Sequence, residues 1–358
     1  MTAERSVVLL GSPVDDVTMS EAVERIAAMV ALGRATGRAH QVATVNVDFL
    51  VKAREDPAVL EIMQRTDLAI PDGMGIVWGA RAVGVPIRER TSGVDLLPAL
   101  VERGAHEGWR ICLFGAAPGV AAKAASLLTA EHPGAEVVGL EAPKVAGDGT
   151  MDPAALDAIT AHRPDIVGVA LGNPKQECWI ARHGTATGAG VLIGIGGTLD
   201  FLTGVTRRAP TWMQRGGLEW IHRAGSEPRR LAGRYAKDLV VFGPALLRQR
   251  WAGRRRAPAT LPFDDYDGDG RLSGLRLTGP APLALLDRPV LTAADDGREI
   301  VVDATALDHV DNVTAAAVAG LVRRARRVGA TVTIYPDLSY DVGRIGRDVK
   351  DRSGRAVG

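Results

Sequence analysis

The sequence predicts an α/β fold: a mostly parallel, doubly wound sheet, followed by a basic helical appendage and a second, small α/β domain. Three observations carry this. Short β-branched runs alternate with longer helical patterns through residues 1–206, as chained βαβ units do. Several runs are apolar on both faces, Asp165-Ile-Val-Gly-Val-Ala-Leu171 among them, as strands covered by helices on each side require. And 358 residues exceed one ordinary domain.

Taken in order, the β-branched runs predict strands at Ser6–Leu10, Gln41–Val45, Asp67–Ile70, Arg110–Phe114, Glu136–Val138, Asp165–Leu171 and Gly190–Ile195. The stretches between them predict helices at Ser20–Leu32, Val47–Arg65, Val94–Gly108, Pro118–His132, Asp152–His162 and Pro174–His183. Residues 207–251 turn helical, basic and Trp-bearing. Residues 252–270 are rich in Pro, Gly, Asp and Arg and read as a linker. Residues 271–345 form the second domain, with strands at Arg271–Leu277, Glu299–Ala304 and Thr331–Tyr335 and a helix at Val313–Val328. The polar tail, 346–358, reads as frayed.

Composition narrows the function. Hydrophobic residues make up 46% and charged ones 24%, the balance of a packed chain. Two cysteines, Cys112 and Cys178, are too few for a disulfide framework and point to a reducing cytoplasm. The start MTAERSVVLLG lacks a leader pattern, and no apolar run is long enough to span a bilayer, so any membrane work is expected from the surface. The net charge is +1, yet residues 207–256 hold thirteen Lys or Arg against Glu219, Glu227 and Asp238, leaving the rest of the chain strongly acidic. Such asymmetry points to an anionic partner.

In doubly wound sheets ligands bind beyond the carboxyl ends of the strands, and the unusual residues gather there. Thr44 and Asn46 stand where one strand yields to a helix, either capping that helix or facing a ligand. Asp72 leaves an apolar strand immediately before Gly73, placed as a general base or as a helix cap. Arg88 and Arg90 offer guanidiniums suited to a diphosphate. Gly172-Asn173-Pro174-Lys175-Gln176-Glu177 ends a buried strand and opens a helix whose first N–H groups favour an anion. Gly196 and Gly197 let a ligand approach the backbone, with Asp200 in reach of ribose or base. There is no Walker lysine loop, no strand-end Asp-x-Asp for a metal–diphosphate clamp and no zinc spacing. Asp265-Tyr-Asp267-Gly-Asp269-Gly270 opens like a calcium loop, but Arg276 occupies the position of the closing Glu. No metal or cofactor is expected.

Together, Thr44-x-Asn46, Asp72-Gly73, Glu89-Arg90-x-x-Gly93, the Gly172–Glu177 run, Gly196-Gly197-x-x-Asp200-Phe201, Arg208-Ala209-Pro210, Gly217-Leu218-Glu219-Trp220 and Glu227-Pro228-Arg229-Arg230 resemble the WecG/TagA/CpsF glycosyltransferases. The resemblance implies a Rossmann-like core and an inverting transfer, in bacterial cell-surface polysaccharide synthesis, of N-acetylmannosamine, its uronic acid or a hexose. The donor would be a UDP-sugar and the acceptor an undecaprenyl-diphosphate-linked saccharide. It makes Asp72 the base, places Thr44 and Asn46 in a sugar pocket, puts Arg90 and Gln176 on donor phosphate or sugar, and sets Asp200 on the uridine. It also implies an appendage at 211–235 that docks on the inner face of the plasma membrane and sends arginines inward, with Arg223, Arg230 and Arg234 as candidates. Ten net positive charges would bind an anionic leaflet, with Trp212, Trp220 and Trp251 at the interface. No motif for nucleic acid accompanies that charge. Glu141-Ala-Pro-Lys144-Val145 departs from the family's aromatic element at that point.

Residues 271–345 resemble a STAS domain, on the strength of Val301-Val302-Asp303, Leu307-Asp308, Asp311, the Ala-rich helix and the strand to Ile334. Asn312 replaces that family's phosphorylatable Ser, so the resemblance implies a passive module for docking a protein partner; homo-oligomerisation is left open. Two other functions fit the sequence less well. One is a non-catalytic sugar-nucleotide sensor signalling through this domain. The other is a dinucleotide oxidoreductase, whose glycine-rich turn belongs after the first strand rather than near the end of the core.

Overall fold

The computed structural model describes residues 5–210, 213, 218–226, 228–252, 263–267, 272–277, 299–303, 312–327 and 331–335. Trp212, Asp269, Asp308, Asp311 and the tail 346–358 lie outside them, as does most of the expected linker. The chain divides into two compact units, one of residues 17–76 and 89–238, the other of residues 1–16, 77–88 and 239–358.

The larger unit is built on six strands: β3 (His40–Val45), β4 (Leu68–Pro71), β5 (Arg110–Gly115), β6 (Glu136–Leu140), β7 (Ile166–Ala170) and β8 (Val191–Gly194). They lie in the order β4-β3-β8-β7-β5-β6, and every pairing is parallel. The chain winds outward from β3 to β4, crosses to lay down β5 and β6, then fills the gap with β7 and β8. Helices cover both faces, which is why the strands read as continuous apolar runs. Ile166, Val191 and Ile193 face one core with Ile26, Val30 and Leu100; Val167, Val169 and Leu192 face the other with Phe114, Trp179 and Ile180. The doubly wound α/β expectation holds here.

Local chemistry sets the helix limits. Helix α1 (Met19–Thr36) starts at a capping box, Thr18 with Glu21, and stops at Gly37, whose φ of 73° suits a residue without a side chain. The expected single helix at Val47–Arg65 is two, α2 (Val47–Glu55) and α3 (Pro57–Arg65). Pro57 excludes Asp56 from helical conformation, and the Asp56 carboxylate accepts from the Ala58 N–H to start the second helix. Next come α4 (Met74–Ala82), α5 (Gly93–Glu107), α6 (Val120–Glu131), α7 (Ala154–Ala161), α8 (Lys175–His183) and α9 (Thr198–Leu202), then α10 (Glu219–Ser226) and α11 (Pro228–Ala252) of the appendage.

The second unit corrects one expectation. The run at Ser6–Leu10 does not join the parallel sheet: β1 (Ser6–Leu9) pairs antiparallel with β2 (Ser12–Asp15). Leu10 and Gly11, at φ 52° and 86°, make the tight turn that lets the chain reverse at once. The buried Arg323 guanidinium of α12 (Asn312–Arg327) binds Asp15 at 2.9 Å and donates to the Pro13 carbonyl. Gln249 of α11 donates to the Val8 carbonyl and accepts from the Leu10 N–H. Its amide also donates to Asn312, which in turn donates to the Val83 carbonyl. A four-stranded sheet completes the unit, in the order β12-β11-β10-β9: β10 (Leu272–Leu277), β11 (Glu299–Asp303) and β12 (Thr331–Tyr335), close to the expected strand positions, are parallel. Strand β9 (Phe263–Asp267), from the stretch read as linker, runs antiparallel to β10. Asp264 and Asp265 obscured it, since acids are rare in strands.

Candidate active site

Four adjacent strands, β4, β3, β8 and β7, deliver the candidate residues to one edge of the sheet. At the end of β3, the Thr44 hydroxyl donates to the Gly194 carbonyl at 2.8 Å, tying β3 to β8. Asn46 is the N-cap of α2, its side chain accepting from the Phe49 N–H at 3.0 Å. Of the two roles open to Asn46 the structure shows the cap; the same oxygen also lies 3.5 Å from the Asn173 amide nitrogen.

Asp72 follows β4, half-buried, its N–H given to the Val45 carbonyl. Helix α4 follows at once, the Ile76 N–H donating to the Gly73 carbonyl. Gly73 has φ 101° and open space where a Cβ would stand, so the backbone beside Asp72 is accessible. The Thr91 N–H donates to the Pro71 carbonyl at 2.9 Å, bringing the Arg90 loop alongside the tip of β4.

Around that loop runs an ion network. Arg90 holds Glu219, the first residue of α10, at 3.0 Å, and lies 3.9 Å from Asp95 in the first turn of α5. Arg208 grips Asp95 with both terminal nitrogens, at 2.7 and 2.8 Å. Arg208 also feels the charges of Glu219 and Asp72; these carboxylates, the Asp95 hydrogen bond first, raise its pKa above the ordinary arginine value. The same Arg208 contact holds the Asp95 carboxyl below its usual range. Two guanidiniums and three carboxylates thus share the space beyond β4.

On the far side of β3 lies the Asn173-Pro174 turn. Gly172, at φ 75°, has open space beside it. Lys52 donates to both the backbone and side-chain oxygens of Asn173, at 3.0 and 2.8 Å, and to Asp48 at 2.8 Å. Lys175 is half-buried in the first turn of α8. Gln176 and Glu177, expected to face a ligand, are turned inward, 2% and 0% exposed. The Gln176 carbonyl accepts from the Gly196 N–H at 3.0 Å and its amide donates to Glu177 at 2.8 Å. Burial pushes the Glu177 carboxyl up to about 7, against the lowering effect of the Gln176 hydrogen bond and the Lys52 charge. These two residues shape the glycine turn after β8 from behind, and Gly196 presents open space on its outer side. Gly197 is exposed, and Asp200 is half-buried in α9.

The appendage candidates divide. Arg234, on α11, lies 3.9 Å from Asp48. Arg223 and Arg230 sit on α10 and α11 with side chains outside the described residues. Arg88 is in the other unit, held by Asp16 at 3.0 Å. Sequence reasoning missed Asp95, Lys52 and Asp48, which lie within helices. It quoted Arg208 and Glu219 only as part of a motif.

A family model described as "Glycosyl transferase WecG/TagA/CpsF family" matches residues 7–256. The chain is 31% identical over 189 residues, 53% of its own length and 72% of the relative's, to an N-acetylglucosaminyldiphosphoundecaprenol N-acetyl-beta-D-mannosaminyltransferase of Bacillus spizizenii. It is 31% identical over 191 residues, with the same coverage, to a protein of the same description from Bacillus subtilis.

Proposed function

The chain belongs to the WecG/TagA/CpsF family of glycosyl transferases, and from that premise we propose that it moves a sugar of the N-acetylmannosamine, uronic acid or hexose type from a UDP-sugar to an undecaprenyl-diphosphate-linked saccharide, with inversion. The two relatives' names supply the acceptor class. The observation that carries the mechanism is the placement of Asp72 at the tip of β4, beside the tethered Arg90 loop and within electrostatic range of Arg208.

Transfer with inversion needs a base on the acceptor side and positive charge on the leaving side. Asp72 takes the proton of the acceptor hydroxyl as that oxygen attacks the donor's anomeric carbon. The bond from that carbon to the diphosphate breaks, and the pair of electrons leaves with UDP. Guanidiniums suit the departing diphosphate because they offer paired donors and keep their charge. The open glycines at 73, 172 and 196 let donor and acceptor come close to the backbone. Thr44, Asn46, Asn173 and Lys175 border that space, and Asp200 is the candidate contact for the uridine.

The acceptor's lipid stays in a membrane, so the enzyme must work at a surface. Among the described residues no helix is long and apolar enough to cross a bilayer. Helix α11 instead exposes Leu239, Val240, Leu247 and Trp251 within the basic segment 207–256. That combination supports peripheral docking on an anionic cytoplasmic leaflet. The C-terminal segment we read as a STAS-like docking module for a protein partner, supported by its three parallel strands and one helix.

The direct test incubates full-length protein with undecaprenyl-diphosphate N-acetylglucosamine and a panel of UDP-sugars. Transfer from one of them is expected. No transfer from any donor, with the protein folded and the acceptor intact, would overturn the reading.

A further inference from the structure

The ion network beyond β4 holds more carboxylate than its position calls for. Arg90 is paired with Glu219 and Arg208 with Asp95, side by side at the place where a UDP-sugar's diphosphate would need positive charge. Arg90, Glu219, Arg208 and Asp95 keep 17, 21, 29 and 42% of their side-chain surface, so these are solvent-reached pairs rather than core bridges. Pairs of that kind contribute little to stability and exchange readily for a better anion. A diphosphate is such an anion, with more charge than a carboxylate and two phosphoryl groups to match two guanidinium forks. Arg208 reinforces this: its Nε is buried and has no hydrogen-bond partner among the described residues, and it senses Glu219 and Asp72 as well as Asp95.

We propose that Glu219 stands in for the donor's diphosphate, which displaces it from Arg90, engages Arg208 as a second guanidinium, and so releases the first turn of α10. Glu219 begins α10, and Leu218 just before it donates its N–H to the Met213 carbonyl and accepts from the Ile221 and His222 N–H groups. Loss of the Arg90 contact therefore removes a side-chain anchor at the start of this helix. Donor binding and the position of α10 become linked through one exchange of anions, and by reciprocity anything that draws α10 away favours the donor. Arg208, absent from the candidate list read from the sequence, becomes a donor-binding residue, and Glu219 a specificity gate that admits only anions stronger than itself.

This rests on a nucleoside diphosphate donor, and the experiment separates the two. UDP alone is titrated calorimetrically into full-length wild type, Glu219→Gln, Asp95→Asn and Arg208→Ala, and amide exchange across residues 218–226 is followed with and without UDP. With the competitor neutralised, Glu219→Gln should bind UDP about three- to tenfold more tightly, and Asp95→Asn should shift in the same direction. Arg208→Ala should bind at least about tenfold more weakly. In wild type UDP should speed exchange at 218–226; in Glu219→Gln exchange should be fast already. Wild type that binds UDP while Glu219→Gln binds it equally or less tightly overturns the displacement and leaves the donor reading standing. Wild type that does not bind UDP overturns both.

Discussion

The Gly196 backbone N–H donates to the Gln176 side-chain carbonyl at 3.0 Å, so the helix that follows β7 holds the glycine turn that follows β8. Gln176 in turn leans on Glu177, and Gly194 leaves room for both: a Cβ there would stand 2.5 Å from the Gln176 amide nitrogen and 2.7 Å from a Glu177 oxygen. Gly194→Ala is therefore expected to push this pair aside and cost about 1–3 kcal/mol, as overpacking does. Urea denaturation checks it, and transfer activity should fall with the displaced turn.

Glu177 sets a pH dependence. Its carboxyl titrates near 4.5 in an unfolded chain and at about 7 in the fold. Between those values the folded state holds the extra proton, so stability falls as pH rises through that window and levels off above it. Glu177→Gln keeps the oxygen that accepts from Gln176 and removes the titration. Melting curves from pH 4.5 to 8 should show the wild type losing on the order of 2–3 kcal/mol that the variant keeps. Asp238, raised to about 6 by burial and by Asp48, adds a shallower decline of the same sign.

Helix α12 is expected to be integral to its unit. Arg323 and Asp15 are 3% and 2% exposed, and Ser6 adds a hydrogen bond to the same carboxylate. Arg323→Ala strands a buried charge, which costs about 3–5 kcal/mol. Amide exchange should accelerate in residues 6–15 as well as in the helix; acceleration in the helix alone would show that the hairpin does not depend on it.

The sheet was legible because parallel strands buried on both faces leave unbroken apolar runs, as at Ile166–Ala170. The hairpin at Ser6–Asp15 was not: its first strand is as apolar as a central one, and only the pairing with Ser12–Asp15 distinguishes it. At the site, Asp72 stood out as a carboxylate leaving an apolar strand beside a glycine, and Arg90 as a guanidinium suited to a diphosphate. The inward turn of Gln176 and Glu177 could not be seen, since a helix's first turn carries polar side chains whether they face solvent or a neighbouring glycine. Asp95 was hidden by the same logic: an acid opening a helix needs no further reason. Only tertiary structure brings Arg208 to it across more than a hundred residues.

Membrane binding should be electrostatic first. Vesicles with an anionic lipid fraction should bind the protein in low salt and release it as ionic strength rises, because the Debye length shrinks from about 30 Å at 0.01 M to about 8 Å at 0.15 M. Trp251→Ala and Leu247→Ala, which remove exposed apolar surface from α11, should weaken the salt-resistant remainder. Co-sedimentation measures both. Equal binding to neutral and anionic vesicles would remove the basic segment from this role.

The central claim is that the Asp72 carboxylate removes the acceptor's proton. Asp72→Asn preserves shape and removes the base, so UDP binding should stay within about twofold of wild type while turnover drops by about 10²–10⁴. The measurement is the transfer rate at saturating donor and acceptor, wild type beside variant, with UDP affinity determined on the same preparations. Loss of turnover with UDP affinity intact is the predicted result; turnover equal to wild type would contradict it.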